Sequence, residues 1–179
     1  MSAPPPYPST RHLAGSLGVP GGADRVPARA VAGRWGVVEE KLDGDMVGFG
    51  FDAGADLSMV AHGAFVAPGD RRFAPARRWA EAREDALFDR LGDRYWLFGE
   101  CLAWTHSVFY DALPDVVLEY DVWDAAEGAW LSTPRRRALL GPVARPVPVL
   151  WEGPLPDAAD LPGLARRSAY RSAGWPAER

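Results

Sequence analysis

Short apolar runs bounded by turn residues, more than long amphipathic stretches, set the pattern of this chain. "WGVVEE", a turn at "LDGD" and then "MVGFGF", where apolar residues alternate with glycine, predict two strands between Trp35 and Phe51. "LSMVAHGAFV", 57–66, predicts a further strand or strand pair. Between 75 and 93 the period changes. Trp79, Ala82, Ala86, Leu87 and Leu91 fall at helical spacing, with Pro75 at the start and Gly92 at the end, so a helix is expected there. "RYWLFGECLAW", 94–104, is a buried strand by its apolar run, and "DVVLEYDVWDAAEGAWLS" reads as strand, turn, strand. "STPRRRALLG" predicts a short helix capped by Ser/Thr with Pro134 in its first turn. "VPVLWEG" predicts another strand and "DAADLPGLARRSA" a short helix. Strands joined by short turns, with helices interspersed, make the expected fold class α+β with largely antiparallel sheets. Residues 1–30 read as an irregular arm of a single domain covering 1–179.

Composition narrows the classes. A content of 47% hydrophobic and 25% charged residues, with eight tryptophans, describes a globular chain and not a disordered one. Proline and glycine cluster in "MSAPPPYP", "GVPGGADRVPA" and "GPVARPVPV", outside the periodic stretches. A net charge of −4 gives no global attraction to nucleic acid, so any such binding needs a local basic face. The pairs Arg71–Arg72, Arg77–Arg78 and Arg166–Arg167 and the run Arg135 to Arg137 are candidates for one, against a plainer reading as solvated faces. The single cysteine, Cys101, excludes an internal disulfide framework and reads as core. No apolar run approaches a membrane span and the first thirty residues lack a signal-peptide pattern, so the expected location is cytoplasmic.

The chemistry starts from the basic residues. Nineteen of the twenty are arginine, and the one lysine is Lys41. Arginine can serve in salt bridges and phosphate contacts but cannot lose its proton and act as a nucleophile. Lys41 opens a K-x-D-G turn between two apolar strands, with Asp43 and Gly44. A lysine held there is expected to be partly desolvated, which frees the amine, while nearby carboxylates pull the other way. Asp43 could orient the amine, and Gly44 would let the backbone come close to a phosphate. K-x-D-G alone is weak, and a β-turn with "DG" at its bend is the better explanation of it taken by itself. There is no GxxxxGK[ST] loop, no Cys/His zinc spacing and no nucleophile elbow, and His12, His62 and His106 are scattered.

Taken together, "VVEEKLDGDMVGF", "LGDRYWLFGE", "VFYDALPDVVLEYDVWD", "LSTPRRRALL" and "VPVLWEGPLP" resemble the ordered motifs of the covalent nucleotidyltransferase superfamily. Within it the likeness is to RNA ligases of the phage RNA ligase 2 type, and it extends from "YPSTRHLAGS" to "SAYRSAGW". The resemblance implies the α+β fold of a ligase adenylation domain and an ATP-dependent enzyme. Lys41 would attack the α-phosphate and hold AMP, Glu100 would bind the ribose hydroxyls, and Tyr120 would lie on the adenine face. Glu40 would reach the adenine edge, and Mg²⁺ would neutralise the leaving pyrophosphate. The substrate implied is RNA with 5′-phosphate and 3′-hydroxyl ends, free or in a nicked duplex.

Departures from the family pattern set the alternatives. His62-Gly63 stands where the family has an Arg-Gly that contacts the sugar, so His62 is the candidate ribose contact. Thr105 stands where relatives often carry a basic residue. The family's later motifs, a Glu-Gly strand and a Lys-x-Lys strand, are expected beyond "SAYRSAGW". "WEGPL", with Glu152 and Gly153, comes too early to be the former, and no lysine follows Lys41. The domain is therefore expected to be C-terminally incomplete, with a further segment or a second chain supplying the rest. The alternatives are a non-catalytic nucleotide- or RNA-binding remnant and a DNA-ligase or capping-type nucleotidyltransferase.

Overall fold

The computed structural model of the protein describes residues 7–8, 10–14, 24–157, 160–164 and 168–171. In chain order its elements are β1 (His12–Leu13), β2 (Arg25–Val26), β3 (Trp35–Glu39), β4 (Asp45–Phe51), β5 (Leu57–Ala61) and β6 (Ala64–Phe65). They continue with α1 (Ala74–Glu81), α2 (Glu84–Leu91), β7 (Tyr95–Cys101), β8 (Val117–Asp124), β9 (Ala129–Trp130), α3 (Thr133–Leu140) and β10 (Val149–Pro154). Short 3₁₀ turns cover Ala28–Ala30 and Leu161–Leu164, the latter inside the predicted last helix. Among the described residues, 41–147 and 169–171 form one compact unit, and 7–40 and 148–168 another. The smaller unit holds the antiparallel pair β3–β10 and the parallel pair β1–β2. The basic pair Arg166–Arg167 lies outside the described residues.

The larger unit is built on a six-stranded antiparallel sheet in the order β6-β5-β4-β7-β8-β9. Strand alternation divides its side chains between two faces. Val47, Phe49 and Phe51 of β4, Leu97 of β7 and Val122 of β8 are buried against Trp79, Leu87, Leu91 and Leu140 of the helices. On the opposite side the two glycines of "MVGFGF" have a packing role. A Cβ at Gly48 would run into Val60 and Phe98, and one at Gly50 would stand 2.6 Å from the Trp96 ring, so both aromatics pack closely on the β4 glycines. Phe98 continues edge-on to Trp130, and Trp130 to Trp123.

Turns follow side-chain chemistry. "AHGA" forms a two-residue hairpin between β5 and β6, with His62 at φ 49° and Gly63 at φ 81°. Both central residues are left-handed, the geometry such hairpins require, and histidine is among the non-glycine residues that tolerate it. Between β8 and β9, Asp124 accepts the amides of Ala126 and Glu127 and forms a two-point pair with Arg94. The Arg94 guanidinium holds the Asp124 carboxyl down at about 2, against the opposing effect of its burial.

The expected helix over 75–93 is two helices. Arg83 breaks it: its Nη1 donates to the Trp79 carbonyl, its guanidinium lies over the Trp79 ring at 4.9 Å, and its Nη2 binds Asp115 at 2.9 Å. An orphan carbonyl at the end of α1 is thereby satisfied by a side chain, and α2 starts at Glu84. The arginine run on α3 is likewise structural. Arg136 is 2% exposed and paired at 3.0 Å with Glu119 of β8, also 2% exposed, while Arg135 reaches Glu127. Truncating one member of a buried pair strands the other charge. Arg136→Ala is expected to lower stability by about 3–5 kcal/mol, and the apolar double variant Arg136→Met/Glu119→Leu to recover most of it, in urea unfolding. A single variant with the stability of wild type would contradict this assignment.

Candidate functional site

The turn from Lys41 to Gly44 leads into β4, and each of its residues has a distinct attachment. Leu42 is 3% exposed and packs in a small apolar cluster with Leu102, Leu118 and Val147. Because Leu42 takes the buried position, Lys41 beside it is exposed. The partial desolvation expected from the sequence is not what the fold provides: the turn presents the ammonium to solvent. Glu40 belongs to the smaller unit, where its N–H donates to the Pro148 carbonyl at 2.8 Å.

Asp43 is a staple. Its Oδ2 accepts the Ser107 hydroxyl at 2.6 Å, the Ser107 amide at 2.7 Å and the Val108 amide at 3.0 Å. The Ser107 hydroxyl is the main reason its carboxyl is held below the usual range, and partial burial opposes it. Its own N–H donates to the Tyr110 hydroxyl. Gly44 is required by close approach: a Cβ there would collide with the Cys101 carbonyl oxygen of β7. Its N–H donates to Glu100 Oε1 at 2.9 Å. The close approach predicted for this glycine is therefore made to the neighbouring strand.

Glu100 is half-buried, and burial is the main reason its carboxyl titrates above the ordinary range. The Gly44 amide and the Lys41 charge oppose that shift, whereas Asp45 and Asp43 reinforce it. Among the described residues Glu100 Oε2 accepts no hydrogen bond, leaving an acceptor for a ligand hydroxyl. Glu100 pairs with Leu118 across the ladder, so both stand on one face. Tyr120, half-buried, packs on the cluster containing Leu118. It occupies a bulge: Phe98 pairs with Asp121 and Gly99 with Glu119, with Tyr120 the extra residue between them. Such an extra residue re-aims side chains. Lys41, Gly44, Glu100 and Tyr120 are thus gathered at the joined ends of β4, β7 and β8.

One group that the sequence pattern does not single out is Asp45, the first residue of β4. It is 2% exposed and binds Arg72 through two donors, with His62 Nε2 and His106 Nε2 each at 3.5 Å. His62, 59% exposed, therefore faces a carboxylate. Burial alone would raise the Asp45 carboxyl, but the Arg72 hydrogen bonds and the charges of Arg72 and His106 outweigh it and hold it low. Strand alternation hides such a residue, because Asp at the start of a strand normally reads as the end of the turn. Cys101, opposite Asp45 in the ladder, is buried and its thiol is pushed up mainly by burial, which fits a core residue.

No group of three His, Cys, Asp or Glu side chains among the described residues could hold a metal ion. The Asp45 carboxylate is engaged by Arg72 and the Asp43 carboxylate by Ser107 and Val108. Among the described residues no helix is long and apolar enough to cross a membrane.

The lowered Asp45 carboxyl has a definite signature. A group whose folded pKa lies below the unfolded 3.8 adds stability above that pH and loses it as pH falls through the folded value. Asp45→Asn is expected to lower the thermal midpoint at neutral pH, and its deficit against wild type should shrink below about pH 3.8. A deficit constant across that range would show that the carboxylate charge does not stabilise this corner.

Comparison with known proteins bears on this geometry. The RNA ligase family model matches residues 36–168. No match is found among curated proteins. Among solved structures, a point mutant of Naegleria gruberi RNA ligase with ATP and Mn superposes with a TM-score of 0.58 at 17% identity, over 75% of this chain and 42% of that one. The same enzyme with PPi gives 0.59, and another mutant with AMP and Mn gives 0.57, both at 17% identity over 75% of this chain and 41% of that one. The chain thus spans about two fifths of the length of these ligases, and at this identity the likeness is one of fold. The match to the family model covers most of the chain and agrees with the mixed helix and antiparallel-sheet architecture: this protein belongs to the RNA ligase family.

Proposed function

We propose that this chain is an ATP-dependent, RNA-ligase-type nucleotidyltransferase domain that forms a lysyl-AMP intermediate on Lys41 and seals RNA 5′-phosphate and 3′-hydroxyl ends. The observation that carries the reading is the placement of the sole lysine on a turn bound to Glu100 through the Gly44 amide. The solvent-facing amine can reach a nucleotide resting on the same sheet end. In the reaction, deprotonated Lys41 Nζ attacks the α-phosphorus, a P–N bond forms, the bond to pyrophosphate breaks, and the amine's second proton leaves to solvent. Glu100 Oε2 accepts from a ribose hydroxyl and Tyr120 supplies an aromatic face for adenine. Glu40 at the adenine edge and His62 at the ribose complete the expected nucleotide contacts, with Asp43 and Gly44 shaping the turn beneath the phosphates. A divalent ion, Mg²⁺ in the cell, would come with the nucleotide's phosphates, which fits the engaged state of the local carboxylates. Solved relatives with ATP and Mn support a nucleotide and a divalent ion as ligands.

RNA is the polynucleotide the family implies, including the nicked-duplex form, and the whole chain acts as one adenylyltransferase unit in the cytoplasm. A further segment or second chain would complete the phosphate site. One observation favours a second reading, a nucleotide- or RNA-binding remnant without catalysis: Lys41 is exposed, and the turn does not take it into the core.

Intact-protein mass after incubation with ATP and Mg²⁺ separates the two. An AMP-sized increment, absent from Lys41→Arg, is expected, and its site needs no mapping because there is no other lysine. ATP binding with no increment in folded protein would leave only the remnant. Glu100→Ala removes both the hold on the turn and the ribose acceptor, and adduct formation should slow by about tenfold or more, as for one missing hydrogen bond to a charged group.

A further inference from the structure

Next to the lysine turn the larger unit opens into a cavity of about 660 Å³, lined in part by Asp45, Arg71, Arg72, Arg78, Trp104 and His106. Its charge is uneven. Arg72 is matched by Asp45. Arg71 and Arg78 are exposed, and neither makes a side-chain hydrogen bond or ion pair among the described residues. Two uncompensated guanidiniums at one opening, on a chain of net charge −4, make a local anion site and not a general basic surface. Trp104 adds a second feature. It is 50% exposed, yet its Nε1–H is already used, donating to the Arg72 carbonyl at 2.7 Å. The indole is held by its edge while half of its surface stays open, the form of a stacking platform. The wall also continues to the lysine turn: His106 lines the cavity, and the next residue, Ser107, grips Asp43.

We infer that this cavity binds one nucleotide of a single-stranded RNA segment, with its phosphate on Arg71 and Arg78 and its base on Trp104. The inference rests on the RNA-ligase reading and adds where the polynucleotide lies relative to Lys41. Guanidiniums match phosphate oxygens with paired donors, and an aromatic face accepts any base, so binding here is tolerant of sequence. An acidic peptide would satisfy the arginines but leave the indole face unused.

The test is fluorescence anisotropy of a short fluorescein-labelled single-stranded RNA with the full chain over a salt series, with ATP-dependent mass increments measured in parallel. Trp104→Ala is expected to weaken RNA binding by about fivefold or more, the scale of one stacked base. Arg71→Ala/Arg78→Ala should weaken it and make the salt dependence shallower, by about 0.7 in slope for each phosphate no longer neutralised. Arg29→Ala/Arg34→Ala, an equal charge change elsewhere, should bind like wild type. Failure of the wild-type chain to bind RNA overturns the inference. So do cavity variants that keep their thermal midpoint and bind no worse than the Arg29/Arg34 variant. Cavity variants that bind RNA normally but lose the mass increment assign the cavity to the nucleotide's phosphates, which also overturns it. The expected RNA pattern without any wild-type increment sinks the adenylylation reading and leaves this one standing.

Discussion

The hydrogen bond from the Gly44 amide to Glu100 Oε1 is the interaction on which the arrangement of this site depends. It exists because β4 and β7 pair with Met46 opposite Glu100 and Asp45 opposite Cys101, which sets Glu100 beside the entry to β4. A slip of one residue would turn Glu100 to the other face and remove the bond. The aromatic layer resists such a slip, since Phe98 and Trp96 lie over Gly48 and Gly50 and any side chain in those places would collide with them. Packing far along the strand therefore fixes the register, and register fixes the carboxylate that holds the lysine turn.

Three carboxylates surround that turn and each has a different task. Asp43 is consumed by the 107–108 loop, Asp45 by Arg72 with two histidines close by, and Glu100 commits one oxygen to Gly44. Their titration separates accordingly. Donors hold Asp43 and Asp45 in the anionic form, while burial and neighbouring negative charge push Glu100 the other way. The carboxylates near Lys41 are thus largely engaged by other partners of the fold.

Much of the fold was legible in the chain because its strands are short apolar runs between turn residues, and β4, β7, β8 and α3 all fall within the predicted stretches. The break between α1 and α2 was not legible. Ala82 and Ala86 continue the helical period, and only the tertiary partners of Arg83 reveal the turn. The sole lysine was visible as an anomaly of composition, but its exposure was not, because a K-x-D-G string does not tell which of Lys41 and Leu42 is taken into the core. Arg136 illustrates the same limit. In the sequence it is one of three equal arginines, and in the fold it is a buried partner of Glu119. Asp45 is not legible because its three partners, His62, Arg72 and His106, are far apart in the chain and brought together only by the fold.

Glu100 holds the Gly44 amide and so fixes the turn that carries Lys41. Amide hydrogen exchange at Gly44, measured by NMR in wild type and in Glu100→Ala without nucleotide, addresses it directly. Protection at Gly44 in wild type that falls to the level of an open turn in Glu100→Ala, with Val47 and Phe49 of β4 still protected, is the expected result. A Gly44 amide that exchanges freely in wild type, or is equally protected in both, would contradict it.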